Sequence, residues 1–261
     1  MRTARSCLFY VTLFIVTIIL GFGAVAVSYL TRRPEKAHLV ARLWGNLNLR
    51  AAGVRVRLKG LENLTPGKSY IFAGNHQSWF DIFAILGRLP VQFRWLAKRE
   101  LFKLPFLGAA MTAIGYIPID RGDRRRAFES INQAALKVQQ GTSIVIFPEG
   151  TRSRDGVLQD FKKGGFILAI KSKQPIVPVS ISGSHDILPK DGDWKICPGV
   201  IRMTIGKPIA TSTYNMKNRD LLICEVRDAI KKHLTVKEGG LLPTEVQSNP
   251  SLCIHRDEGI S

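Results

Sequence analysis

Residues 7–30, CLFYVTLFIVTIILGFGAVAVSYL, run for 24 positions without a charged side chain. A stretch of that length and apolarity is long enough to span the hydrocarbon core of a bilayer as a helix, and it constrains everything attached to it. Two readings compete. Ala24-Val25-Ala26 resembles the small-residue cleavage site of a secretory signal. Against that, the run is long for a signal and its surroundings are strongly basic. Residues 1–60 hold ten Lys/Arg and one acid, Glu35, which is half of the chain's net charge of +18. A retained anchor is the favoured reading. More positive charge lies after the run (Arg32, Arg33, Lys36) than before it (Arg2, Arg5), so the bulk of the chain is expected on the cytoplasmic face of a membrane, a bacterial inner membrane. Basic flanks also draw such a chain to anionic membrane lipids.

Nucleic acid is the other usual partner of a basic chain. No zinc-finger spacing, RNP-like aromatic motif or basic zipper is present, so no nucleic-acid partner is expected. The four cysteines, Cys7, Cys197, Cys224 and Cys253, are scattered without CxxC spacing or neighbouring histidines. Neither a metal site nor a disulfide framework is indicated, which suits a reducing compartment.

Beyond the anchor the hydrophobic period alternates between the strand and helix values. HLVARLWGNLNLRAAG carries Leu39, Val40, Leu43, Trp44 and Leu47 on one helical face, which either lies at a membrane interface or packs on the domain core. VRVRLKG alternates strictly, as a half-buried strand does, and SYIFAG reads as a buried strand. Helices are expected near 79–88, across 100–114, and over 124–140, 164–172 and 217–235; strands near 93–97, 116–119, 143–148, 175–181 and 200–206. GKS at 67–69 ends like a phosphate-binding loop, but Glu62 stands where that motif needs glycine and a strand comes next; it is a turn. The alternation predicts an α/β fold: a mixed, largely parallel sheet flanked by helices, preceded by an N-terminal membrane-anchoring helix. The expected organisation is anchor and interfacial helix over 1–50, α/β domain over 51–236 and a flexible polar tail over 237–261.

In an open α/β sheet, ligands gather beyond the carboxyl ends of strands. Three such ends carry reactive side chains here. SYIFAG delivers Asn75-His76-Gln77-Ser78 and then Asp81; YIPI delivers Asp120-Arg121; SIVIF delivers Pro148-Glu149-Gly150-Thr151-Arg152-Ser153. Each has a dull explanation taken singly: a capping box at Ser78 and Asp81, a surface pair at Asp120 and Arg121, a turn cap at Glu149. Five residues apart within one helix, His76 and Asp81 would lie about 140° apart. With a helix starting between them, the carboxylate can reach back to the imidazole. That pairing makes a general base, and Arg121 and Arg152 offer forked donors suited to phosphate, with backbone N–H groups from Gly150-Thr151 beside them. No GxSxG elbow exists and no cysteine is near His76 in sequence, so the base acts on a substrate hydroxyl and not on an enzyme nucleophile. SGSHDILPK holds a second His-Asp pair, His185 and Asp186, but adjacent residues on an extended chain diverge, and His185 is expected to be a loop residue near the site mouth.

NHQSWFD (75–81) matches the NHx4D motif of the 1-acylglycerol-3-phosphate acyltransferase (lysophosphatidate acyltransferase) family. GYIPIDR (115–121) resembles its second motif, with Pro118 in place of the usual larger apolar residue; FPEGTRS (147–153) is similar to the third and IVPVSI (176–181) to the fourth. The resemblance covers roughly residues 50–210. It implies an O-acyltransferase in which His76 deprotonates the free glycerol hydroxyl and Asp81 orients it. The hydroxyl attacks an acyl thioester, carried by coenzyme A or acyl carrier protein, and lysophosphatidate becomes phosphatidic acid in phospholipid synthesis. Arg121, Glu149, Gly150, Thr151 and Arg152 become acceptor-binding residues, with Glu149 meeting glycerol hydroxyls or holding its loop, and Pro178 shaping the site. No metal or cofactor is implied. Residues 1–33 are then expected to serve membrane residence more than chemistry. Acyl transfer to glycerol 3-phosphate or another lyso-lipid, and a non-catalytic module that holds anionic lipid, remain as alternatives.

Overall fold

The computed structural model describes residues 2–120 and 122–240. Arg121 and residues 241–261, most of the expected tail, fall outside the description. The chain opens with two helices, α1 (Arg2–Thr31) and α2 (Pro34–Ala51), and then alternates: β1 (Arg55–Lys59), β2 (Ile71–Gly74), α3 (Trp79–Arg88), β3 (Phe93–Lys98), α4 (Leu107–Ile114), β4 (Ile117–Ile119), α5 (Arg124–Gln139), β5 (Ser143–Ile146), α6 (Gly164–Ser172), β6 (Ile176–Ser182), a single helical turn α7 (Ser184–Ile187), β7 (Val200–Ile205) and α8 (Arg219–Lys231). The strands form one sheet in the order β1-β7-β6-β2-β5-β3-β4, parallel at every pairing except the antiparallel β6–β7. That is the mixed, largely parallel sheet the alternation predicts.

The central strands are buried on both faces, which is why they read as continuous apolar runs and not as alternating ones. Phe72, Val145 and Val177 point to one core with α2, α3 and α4; Ile71, Ile144 and Ile176 point to the other with α5, α6 and α8. One expected helix is divided. Pro105 interrupts the stretch 100–114, so a 3-10 turn over Arg99–Lys103 precedes α4, and Phe106 between them takes a positive φ of 58°. At the other end regular structure continues into the stretch assigned to the tail: Val236–Glu238 form a 3-10 turn, and Glu238 is buried with Ser182 Oγ and Gly183 N donating to its carboxylate.

Helix α1 is not a detached anchor. Phe9 is buried between Phe80 and Phe83 of α3, at ring-centroid distances of 5.5 and 6.3 Å. Burying one such ring is worth about 1.5–3 kcal/mol. Near one end Ser6 Oγ accepts from Ile196 N at 2.9 Å and Tyr10 OH donates to Trp194 O at 3.0 Å; near the other, Ser28 Oγ donates to Ala113 O at 2.8 Å. Midway, Trp44 Nε1 of α2 donates to Thr17 Oγ1 at 2.9 Å. The helix therefore lies along the domain, and residues 1–50 share a core with the α/β sheet and its helices. Helix α2 packs on the domain core, one of its two sequence readings. Its inner face is the small and polar stripe Ala37, His38, Ala41, Gly45, Asn48 and Leu49, and Gly45 lets its backbone approach Gly87 of α3. Leu39 and Leu43 of the apolar stripe stay exposed, as do Leu8, Val11, Phe14, Ile15, Ile19 and Phe22 of α1.

Candidate active site

Strands β2 and β5 are neighbours in register, Ala73 opposite Ile146, so the segments leaving their carboxyl ends meet. Asn75 holds the first of them down. Its side-chain amide donates to Ile181 O at 2.8 Å and accepts from Ile181 N at 2.7 Å, which continues the β2–β6 ladder with a side chain in place of backbone. Ser78 then caps α3 in a capping box with Asp81 at the third helical position. Asp81 is fully buried. Its Oδ2 sits 2.8 Å from His76 Nδ1 and also accepts Gln77 N at 2.7 Å and Ser78 N at 2.8 Å. One oxygen thus serves both cap and imidazole, so the capping box and the His–Asp pair are the same structure. His76 is pinned elsewhere too: its ring stacks on Phe147 (centroids 3.9 Å apart, planes at 7°), and its carbonyl accepts from Ser153 N at 2.8 Å.

Glu149 is buried, and both its oxygens are taken by backbone. Oε1 accepts His76 N at 2.5 Å and Oε2 accepts Gln159 N at 3.0 Å. Of its two sequence readings, holding the loop is the one the geometry carries. Burial pushes the carboxyl up to about 7, against the pull of those two N–H groups. Gly150 turns the chain with φ 77°, a conformation that disfavours any side chain. Thr151 is exposed, its Oγ1 accepting from Lys190 Nζ at 3.1 Å, and the same ammonium donates to Arg152 O at 3.1 Å. The Arg152 guanidinium lies over the Trp79 ring, 5.7 Å from its centroid. Burial lowers its pKa, while Asp81 and Asp191 raise it. Pro178 is buried on β6 in register with Ala73, three residues before His76.

Behind this rim lies an apolar cavity of about 360 Å³, within the range of small-ligand sites. His76, Trp79, Phe147 and Gly150–Arg152 line its polar end, together with Lys98. Its walls come from α1 (Thr17, Leu20, Gly21, Ala24), α2, α3, β3 and α4. Helix α1 therefore contributes to the cavity wall as well as to an apolar surface, a part in the site that the expectation of membrane residence did not include. His185 also differs from expectation. It sits in the α7 turn with its ring against Gly156, beside a separate small pocket, and Asp186 pairs with Lys237 at 3.0 Å. Trp79, Phe147, Lys98 and Lys190 were not singled out by sequence; the first two lie inside the motifs, whereas the latter two are isolated lysines in a basic chain. Among the described residues no group of three or more His, Cys, Asp or Glu is placed to hold a metal ion.

Comparison with known proteins identifies the family. The family model described as Acyltransferase matches residues 55–182. A 1-acyl-sn-glycerol-3-phosphate acyltransferase of Saccharomyces cerevisiae is 36% identical over 232 residues, covering 85% of this chain and 75% of that protein. A chloroplastic relative of the same name from Brassica napus is 34% identical over 78% of this chain, and one from Arabidopsis thaliana 33% over 85%; the chain spans 58% and 61% of their lengths. The crystal structure of the 1-acyl-sn-glycerophosphate acyltransferase PlsC from Thermotoga maritima superimposes with a TM-score of 0.76 at 28% identity, over 89% of this chain and 95% of that one. By sequence and by fold, this chain belongs to the 1-acyl-sn-glycerol-3-phosphate acyltransferase family.

Proposed function

We propose that the protein is a membrane-bound acyltransferase that moves an acyl group from a thioester to the free sn-2 hydroxyl of 1-acylglycerol 3-phosphate, giving phosphatidic acid. The observation that carries this reading is the position of the His76–Asp81 pair at the polar end of an apolar cavity, next to Arg152. With Nδ1 committed to a buried carboxylate, Nε2 is left to take a proton. The hydroxyl gives its proton to Nε2 as its oxygen attacks the thioester carbonyl. The tetrahedral intermediate then collapses, the C–S bond breaks, and the imidazolium returns the proton to the thiolate. Apolar chain lies in the cavity and the phosphate meets Arg152 at the rim, with Arg121 joining it by the family resemblance. Coenzyme A and acyl carrier protein both suit the donor role. The transfer is redox-neutral, and no cofactor enters the scheme.

The exposed apolar faces of α1 and α2 give the membrane a place. α1 has the length and apolarity of a membrane span, yet hydrogen bonds near both its ends tie it to the domain. We infer that it lies in one leaflet, its outer face in lipid and its inner face on the cavity. The test is purified protein given lysophosphatidate, lysophosphatidylcholine or glycerol 3-phosphate with each type of donor, products identified by mass. Phosphatidic acid as the main product is expected. A preference for glycerol 3-phosphate would transfer the reading to that acceptor, and thioester left unconsumed with every acceptor would leave a lipid-binding module.

A further inference from the structure

We propose that Trp79 is the platform that holds the Arg152 guanidinium in position for the acceptor's phosphate, and so is a positioning residue for acceptor affinity; this rests on the acceptor reading above. Arg152 is half-buried; among the described residues its guanidinium makes no direct hydrogen bond or ion pair, the Asp81 and Asp191 carboxylates act on it without direct contact, and it lies over the Trp79 ring. Lys190 donates to its carbonyl and the neighbouring Ser153 N donates to His76 O, so the backbone at Arg152 is fixed while the long side chain is held by the indole. A cation over an aromatic ring is attracted to the ring's π face without spending a hydrogen-bond donor on an oxygen. The guanidinium N–H groups therefore stay available for phosphate oxygens.

Trp79 is itself rigidly placed. It is the first residue of α3, directly after the Ser78 cap and two residues before the buried Asp81, so the same turn fixes the base and the platform. A tryptophan 41% exposed at the start of a helix is poorly explained as core packing; here it lines the cavity mouth alongside His76 and Arg152. The consequence is specific. Removing the ring should cost most where Arg152 meets the phosphate, and any loss of cavity lining should fall equally on acceptors with and without that phosphate.

The experiment is a double-mutant cycle on the full chain, with Trp79→Leu, Trp79→Phe, Arg152→Ala and Trp79→Leu/Arg152→Ala assayed on lysophosphatidate and on monoacylglycerol, which lacks the phosphate. Trp79→Leu is expected to raise KM for lysophosphatidate roughly five- to tenfold with kcat little changed. Monoacylglycerol use should fall several-fold less than lysophosphatidate use, since Trp79 also lines the cavity, and Trp79→Phe should recover part of the phosphate-dependent loss. In the Arg152→Ala background Trp79→Leu should cost no more on lysophosphatidate than it does on monoacylglycerol. An equal loss on both acceptors, or the same loss with Arg152 absent, would overturn the proposal, because the ring would then be serving the cavity or the membrane. No effect of Trp79→Leu, while Arg152→Ala weakens lysophosphatidate use, would overturn it too and leave the acceptor reading intact. An Arg152→Ala protein that keeps full preference for lysophosphatidate would refute the acceptor reading, and the platform with it.

Discussion

Asp81→Asn tests the dyad more sharply than any truncation, and its outcome depends on one oxygen. Oδ2 of Asp81 meets His76 Nδ1, Gln77 N and Ser78 N within 2.7–2.8 Å, while Oδ1 is buried without a protein partner among the described residues. Two of the three partners are backbone N–H groups that can only donate. An asparagine must therefore place its carbonyl oxygen where Oδ2 was, leaving its NH₂ in the place of Oδ1. The cap survives, and so does the tautomer with the proton on Nδ1; only the charge is lost. The lower bound on the cost is the difference between a charge-assisted and a neutral hydrogen bond, roughly 1–1.5 kcal/mol. The upper bound is the attraction between imidazolium and carboxylate, about 4 kcal/mol at 4 Å and an effective dielectric of 20. The variant should lose between roughly tenfold and a thousandfold in kcat/KM, with a urea midpoint near wild type. His76→Ala should lose about 10²–10⁴-fold, and adding Asp81→Asn to it should cost little more. Asp81→Ala is a different perturbation: it strands two buried backbone donors at about 1–3 kcal/mol each, so it should be visibly destabilised. Steady-state thioester consumption and urea melts measure all of this. Near-wild-type turnover by Asp81→Asn, in a protein that is folded, would refute the assignment of Asp81 as the partner of a catalytic base.

Direct transfer predicts no acyl-enzyme: Ser78 Oγ already donates to Leu188 O at 2.7 Å and caps α3, so rapid mixing with donor alone should give no burst of thiol, and a stoichiometric adduct would contradict this. Deleting residues 2–31 should abolish turnover on detergent-dispersed substrate as well as weaken vesicle binding, because the cavity loses the wall that Leu20 and Ala24 supply; retained activity would show α1 to be a tether only. Glu149, with a folded pKa near 7 above its ordinary value, binds its proton more tightly when folded, so its contribution to stability is present at low pH and is lost as pH rises from about 4.5 to about 7. That amounts to about 3 kcal/mol, and Glu149→Gln should flatten this part of a urea-midpoint profile whatever it does to the absolute level; an unchanged slope would rule the argument out. Arg152→Lys keeps the charge but loses the planar fork, and should weaken lysophosphatidate use about tenfold, measured as kcat/KM, while sparing an acceptor without the phosphate.

Much of the architecture was legible because it is local. α3 begins and ends at Trp79 and Arg88, as the Ser78 cap and the apolar spacing predict, since a capping box is decided by residues three positions apart. The facing of His76 and Asp81 came from the same geometry: a helix that starts between them brings the carboxylate back to the ring. The apolar strands told their two-sided burial for a similar reason, as neither face of a central strand meets water. Tertiary packing decided the rest. The run at 7–30 has the composition of a free membrane span, and nothing within it shows that Ser6 and Ser28 are tied to residues 196 and 113 or that Thr17 faces Trp44. Glu149 could equally have met a substrate hydroxyl until the β2 and β5 ends came together and gave its oxygens to the backbone at His76 and Gln159. Trp79 is separated from Arg152 by more than seventy residues of chain. Contacts of that kind depend on where whole elements come to rest, and side-chain type and spacing along the chain carry no distance across the sheet.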